Sequence, residues 1–300
     1  MSFLVFFLLS LALIGAFALF AVGLVLIYQA SRLLNLAHGA MGTLSAYVAY
    51  SASKAGVPML LVLPLAALVG AATGVAIERV FVRTLRAQGP TAQTVGTVAA
   101  FGVITALVGK VWGTAALRAP TVFPDGGVHV STSLLSWGQL GIFAASVAAA
   151  AGVYALFQYT RLGLAMRAAA ENRRAASLMG IDSDRTTMIA WAIAGALAGV
   201  TGVMLAAVTN LHPYTLSLQM LPAFVAALIG GMTSLVGAVL GAVAVGAALG
   251  MVPAFGGIPV IGDFASQIGA SQVVLALIAF GVMVRRGEPL VAGDPRGAGL

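Results

Sequence analysis

The sequence predicts an all-α fold: a polytopic transmembrane helix bundle of eight or nine membrane segments, N-terminus outside and C-terminus cytoplasmic. Three observations predict it. Of 300 residues, 61% are hydrophobic and 8% charged. A soluble domain runs about 45–50% apolar and about 25% charged, so a water-soluble globule is excluded, and the apolar excess excludes a disordered chain. The apolar residues also form long unbroken stretches, unlike the alternating strands of roughly ten residues that build an outer-membrane barrel. Finally, the basic residues are clustered. Apart from Lys54, Lys110 and Arg118 they sit at Arg32, at Arg79, Arg83 and Arg86, at Arg161, Arg167, Arg173, Arg174 and Arg185, and at Arg285, Arg286 and Arg296. Positive loops stay on the cytoplasmic side, so the clusters mark the inner face. The excess of 15 basic over 8 acidic residues is therefore read as topology, not as affinity for nucleic acid.

Residues 3–29 form the first span. Its apolar stretch is about twice the core of a secretory signal and its charge follows it, so it is read as retained. Segments 36–53, 57–78, 90–112, 137–158 and 187–209 come next. The stretch 218–251 is too long for one span and is interrupted by Pro222 and Gly230-Gly231. It is expected to enter and leave the membrane as two shorter helices joined near 231–234. Segment 270–284 completes a single transmembrane domain, 1–300.

Two outer loops are expected. The larger, 113–136, carries Pro120, Pro124, Asp125, Gly126, Gly127 and His129; the other, 252–269, holds Pro253, Gly256, Gly257, Pro259 and Asp263. Each is either a connector or the seat of an outside partner. Gly195, Gly199 and Gly202, and again Gly237, Gly241 and Gly246, recur at roughly one-turn spacing. Such small residues let membrane helices approach closely.

Catalytic chemistry is sparse. There is no cysteine, hence no disulfide and no thiolate site. Gly109-Lys110 is followed by Val111-Trp112, so no phosphate-cradling loop exists. Neither H-E-x-x-H nor G-x-S-x-G occurs, and no enzyme activity, metal site or cofactor is expected. No carboxylate lies in the middle of an apolar segment; Glu78 is placed at an inner helix end beside Arg79. That weakens the reading as an ion-coupled secondary transporter, although carbonyls of broken helices bind sodium without carboxylates.

Two regions stand out. The first is Asn35-Leu36-Ala37-His38-Gly39-Ala40-Met41-Gly42. Asn35 suits a helix cap, and His38 is the most deeply placed titratable side chain. His38 either lines a path through the bundle or is a structural histidine. The second, 161–182, reads as an alanine-rich helix of about three to four turns, stopped by Gly180 with Ile181 as the apolar contact beyond it. Arg167 and Glu171 are i, i+4 neighbours; Leu164, Leu178, Met179 and Ile181 are apolar anchors. This inner loop, about 161–186, either docks a soluble motor or only anchors topology.

Gly23-Leu24-Val25-Leu26-Ile27-Tyr28 followed by Asn35-Leu36-Ala37-His38-Gly39 resembles the opening of the branched-chain amino acid ABC importer permeases. Gly163-x-x-x-Arg167-Ala168-x-x-Glu171-Asn172-x-x-Ala175-Ala176-x-x-x-Gly180-Ile181 resembles their cytoplasmic coupling loop. Ala223-Phe224-Val225 and Ile229-Gly230-Gly231-Met232-Thr233-Ser234 with Gly237 resembles their C-terminal signature. The three occur in the expected order, and the length matches the shorter of the two permeases such systems pair. One departure is Leu36, where an aromatic often follows the asparagine.

The resemblance implies a permease subunit in the bacterial cytoplasmic (inner) membrane, heterodimeric with a second permease subunit. It implies two cytoplasmic ATP-binding subunits, which hydrolyse the ATP, and a periplasmic or extracellular solute-binding protein. Arg167, Glu171, Asn172, Ala175, Ala176, Gly180 and Ile181 would couple to the ATPases, with the 170–180 helix in an ATPase groove. Because glycine-interrupted segments in both halves of a transporter often mark its binding region, the translocation path is expected at Asn35, His38, Gly39, Gly230, Gly231, Thr233 and Ser234. The cargo implied is a branched-chain or related amino acid; urea and short amides are carried within the same family.

Overall fold

The structure is a computed structural model and describes residues 3–119, 122–124, 126–130, 133–257 and 270–286. The first apolar stretch is two helices, α1 (Phe3–Leu9) and α2 (Leu11–Ser31), not one. The break falls at Ser10, whose hydroxyl donates back to the Phe7 carbonyl at 2.6 Å. Serine side chains compete in this way with the helical ladder. α2 is apolar or small on every side, the pattern of a helix enclosed by others, and 83% of its membrane-length window is buried.

α3 (His38–Lys54) and α4 (Met59–Ile77) follow, and α4 runs on into a π-helical turn, Glu78–Val82. Gly89 at φ 92 and Pro90 at the first turn start α5 (Pro90–Trp112), the place where proline's missing N–H costs nothing. The connection between α5 and the next long helix is not all loop: β1 (Gly127–Val130) and β2 (Ser133–Ser136) form an antiparallel hairpin. Its end caps α6 (Trp137–Tyr159), because the Ser136 hydroxyl accepts from the Gln139 N–H while the Gln139 side chain accepts from the Ser136 N–H. Pro120, Asp125, Pro259, Asp263 and Arg296 lie outside the described residues.

Then come α7 (Arg161–Glu171), α8 (Arg173–Leu178), α9 (Ser183–Val208), α10 (Pro213–Leu218), α11 (Met220–Gly230), α12 (Leu235–Met251), a 3-10 turn (Val252–Gly257) and α13 (Ala270–Arg286). Among the described residues six helical stretches are long and apolar enough to cross a membrane: Leu11–Ser31, Met59–Val82, Pro90–Trp112, Trp137–Tyr159, Ser183–Val208 and Leu235–Phe255. Leu216–Gly230 and Ala270–Arg285 are shorter apolar helices. The protein is therefore a multi-pass helical membrane protein.

α2 and α9 form the centre. α9 packs against α4, α2 and α3, and α2 also against α6, α11 and α12. α6 keeps most of its surface uncovered by the rest of the chain. The central contacts are backbone on backbone. A Cβ on Gly70 would overlap the Gly195 carbonyl, one on Gly195 the Gly70 carbonyl, one on Gly199 the Ala66 carbonyl and one on Gly202 the Gly42 carbonyl. Gly237 and Gly230 bring α11 and α12 together in the same manner. Small residues in register replace the hydrophobic effect, which gives no drive between helices in lipid.

Candidate functional site: the 161–186 segment and its junctions

α6 turns sharply into α7. The Thr160 hydroxyl accepts from the Gly163 N–H at 3.2 Å, and a Cβ on Gly163 would overlap the Phe157 carbonyl, so this corner requires glycine. α7 buries Met166 and Ala169 against α6, α9 and α2. The single helix expected over 161–182 is two. Asn172 interrupts it in extended conformation, φ −148 and ψ 100, and its side-chain oxygen accepts from the Ala175 N–H at 2.9 Å, which starts α8 afresh. A side-chain acceptor satisfies an orphan amide at a helix start, and this local bond outweighs continuation of the alanine run.

α8 ends in a Schellman turn. Gly180 has φ 79; its N–H reaches the Ser177 carbonyl at 3.1 Å, and the Ile181 N–H reaches the Ala176 carbonyl at 3.0 Å. This is the stop expected of Gly180. At this tip Leu178 is 84% and Met179 82% exposed, two adjacent apolar side chains that the rest of the chain leaves uncovered. Asp182 then caps α9 by accepting from the Asp184 and Arg185 N–H groups.

The arginine clusters contribute more than topology. Glu78 is fully buried, and it pairs with Arg83 at 3.3 Å and Arg86 at 3.5 Å, not with its neighbour Arg79. Arg86 also pairs with Asp184 at 2.7 Å, and Arg173 with Asp184 at 2.8 Å. Arg173 donates further to the Ser183 carbonyl and to the Thr187 hydroxyl, both at 3.3 Å. Partial burial, then the neighbouring Arg86 guanidinium, pull Arg173 below its ordinary range, while Asp184 pushes it back. A chain of opposite charges thus runs from α8 through the start of α9 to the foot of α4. Arg167 and Glu171 are i, i+4 neighbours on α7 as expected, and Arg167 turns back to α6, donating to Gln158 Oε1 at 3.0 Å and lying over the Phe157 ring at 5.7 Å.

Arg167 and Glu171 instead share a cavity of about 390 Å³ with Gln29, Arg32, Thr233 and Ser234. Two of the expected groups therefore meet, the inner loop and the turn after Gly230. That turn is held by Gly231 at φ 84 and by Ser234, which accepts from the Gly237 N–H at 2.9 Å. The Gln29 side-chain amide donates to the Thr233 carbonyl.

Asn35, His38 and Gly39 lie elsewhere, in the buried interior. Asn35 does not cap α3; Ala37 occupies that position. Its side-chain oxygen accepts from the Ala37 N–H at 3.0 Å in a local turn just before the helix. His38 is 0% exposed and stands edge-on to Phe20 at 5.4 Å between centroids. Gly23 makes room for it, since a Cβ there would lie 2.7 Å from His38 Nε2. Neither ring nitrogen has a hydrogen-bond partner among the described residues. Gly39 abuts the Ser217 carbonyl, and Thr43 meets the Ser217 hydroxyl at 2.8 Å, so the start of α3 is fastened to α10.

Sequence reasoning missed Gln29, Glu78, Arg86 and Asp184 as a set. Gln29 alone gave a signal, an amide in the last turn of an otherwise apolar helix. The charge chain joins residues far apart in sequence, which no spacing rule reaches.

The chain matches a family model described as branched-chain amino acid transport system / permease component over residues 6–288. It is 29% identical over 283 residues to the high-affinity branched-chain amino acid transport system permease protein BraD of Pseudomonas aeruginosa, covering 89% of this chain and 90% of the relative. It is 30% identical over 252 residues to the corresponding permease protein LivH of Escherichia coli K12, covering 78% and 80%. A probable branched-chain amino acid transport permease protein LivH of Methanocaldococcus jannaschii is 29% identical over 235 residues, covering 76% and 74%. No solved structure matches.

Proposed function

The chain belongs to the branched-chain amino acid transport permease family, and from that premise we propose that it is the membrane-spanning subunit of an ATP-driven importer whose power comes from separate ATPases. The carrying observation is the α8 tip. Leu178 and Met179 project from a rigid Schellman turn, and behind them Arg173, Asp184, Arg86 and Glu78 lead to the α4–α5 corner. A nucleotide-driven partner gripping this tip pulls on α9 and α4 together.

In this reading the 161–186 side is cytoplasmic, the N-terminus is outside, and the chain lies in a bacterial inner membrane with eight or nine segments. Arg167, Glu171, Asn172, Ala175, Ala176, Gly180 and Ile181 shape or carry the coupling surface. The residues proposed for the path are Asn35, His38, Gly39, Gly230, Gly231, Thr233 and Ser234. A second permease completes it, and an outside binding protein delivers a branched-chain or related amino acid.

The test is reconstitution of the complete importer in liposomes with leucine as cargo. ATP-driven uptake is expected with all subunits and none with this chain alone. Glu171→Lys is expected to abolish uptake while insertion and capture by the binding protein persist. Uphill transport by the lone chain, or unimpaired uptake by the variant, contradicts the reading.

A further inference from the structure

The polar cavity at the foot of α2 and α7 adjoins a second one. Its Tyr154, Leu235 and Val236 also line a second cavity of about 290 Å³, a groove between α6 and α12 whose walls include Ala150, Val239 and Val243. The groove is almost wholly apolar; the polar cavity carries Arg32, Arg167 and Glu171. Among the described residues none of these three charges takes part in an ion pair. Arg32 rests over the Tyr28 ring at 5.9 Å, and Arg167 over Phe157. Arg32 holds the α2 terminus at φ 54, the one non-glycine residue in left-handed conformation among those described.

We infer that these two adjoining cavities together hold one phospholipid, phosphatidylethanolamine, with its phosphate between Arg32 and Arg167, its ammonium toward Glu171 and an acyl chain in the α6–α12 groove. The chemistry selects that occupant. Guanidinium groups bind phosphate by paired, charge-assisted hydrogen bonds, and basic pockets between membrane helices take lipid headgroups. A purely anionic lipid leaves Glu171 facing phosphate without a counter-charge. A choline headgroup offers no N–H to donate to it. The apolar groove requires a hydrocarbon chain, which a free phosphate lacks. The inference rests on the membrane placement of the chain, and neither on its cargo nor on its ATPases.

The test is native mass spectrometry of the full chain in detergent, with phosphatidylethanolamine, phosphatidylcholine and phosphatidylglycerol of equal acyl length. The wild type should retain phosphatidylethanolamine about tenfold more than either other lipid, the change one charge-assisted hydrogen bond carries. Arg32→Gln should lower that retention by about tenfold on the same basis. Val243→Trp, which fills the groove from its exposed rim, should lower retention of all three lipids. Glu171→Gln should turn the preference toward phosphatidylglycerol, a reversal that misfolding does not produce. Equal retention of the three lipids by the wild type, or its preference for phosphatidylglycerol, overturns the proposal. So does displacement of the bound lipid by water-soluble glycerophosphoethanolamine at equal concentration. No ATP or amino acid enters this experiment, so its failure is separate from failure of the transport reading.

Discussion

Arg86 stands between two carboxylates, 3.5 Å from buried Glu78 and 2.7 Å from Asp184. It links the foot of α4 to the start of α9 by charge, beside the direct packing of the two helices. Arg86→Met should lower thermal stability in detergent by about 2 kcal/mol. That is less than the 3–5 expected for breaking a buried pair outright, because Arg83 remains with Glu78 and Arg173 with Asp184. In the assembled importer it should reduce amino acid uptake more than ATP hydrolysis. An unchanged melting temperature contradicts the energetic claim, and equal losses of uptake and hydrolysis contradict the transmission claim.

Glycines in this chain divide into two sorts. Gly195→Val drives side-chain atoms into the Gly70 carbonyl of α4 and should cost 3 kcal/mol or so, as overpacking against an immobile backbone does. Gly102 and Gly152 face open space within α5 and α6. Gly102→Ala and Gly152→Ala should stabilise by roughly 0.5–1 kcal/mol through reduced unfolded-state entropy. Thermal unfolding of the three variants side by side checks the contrast.

Gly180→Ala meets no neighbouring atom but must hold φ 79, a left-handed conformation costing about 1–2 kcal/mol for a residue with a Cβ. Gly180→Asn should cost less, since asparagine tolerates this region. Global stability changes little because the tip is peripheral, whereas uptake should fall in the order Gly180, Asn, Ala. Equal uptake by all three removes any role for the tip geometry.

His38→Phe should preserve the fold, because the ring keeps its place against Phe20 and Gly23 while two unpartnered nitrogens disappear. Deleting unsatisfied polar groups without changing shape is close to neutral. His38→Ala should cost about 3 kcal/mol for the void it leaves. Loss of uptake in His38→Phe at unchanged melting temperature places the imidazole on the path; normal uptake assigns it to packing alone.

Much of this was legible in the residues themselves. Segment 90–112 was readable to the residue because Gly89-Pro90 starts α5 and Gly113 ends it. Gly180 announced its turn for the same reason: local backbone demands are written locally. The break at Ser10 was not legible, since one hydroxyl inside an apolar run looks tolerable until its bond to Phe7 is seen. The partners of Arg167, Gln158 and Phe157, were not legible, because spacing places side chains on a face but does not choose between rotamers. The meeting of Arg86 with Asp184 depends on how α4 lies on α9, which hydropathy leaves undetermined.

The interlocked glycines of α4 and α9 have a mechanical corollary. Where main chain rests on main chain, no rotamer can rearrange to absorb sliding, and a small axial shift drives carbonyl oxygens into α-carbons. The two helices therefore travel as one strut. Any relative movement within the bundle is left to joints elsewhere, such as the short α10 link.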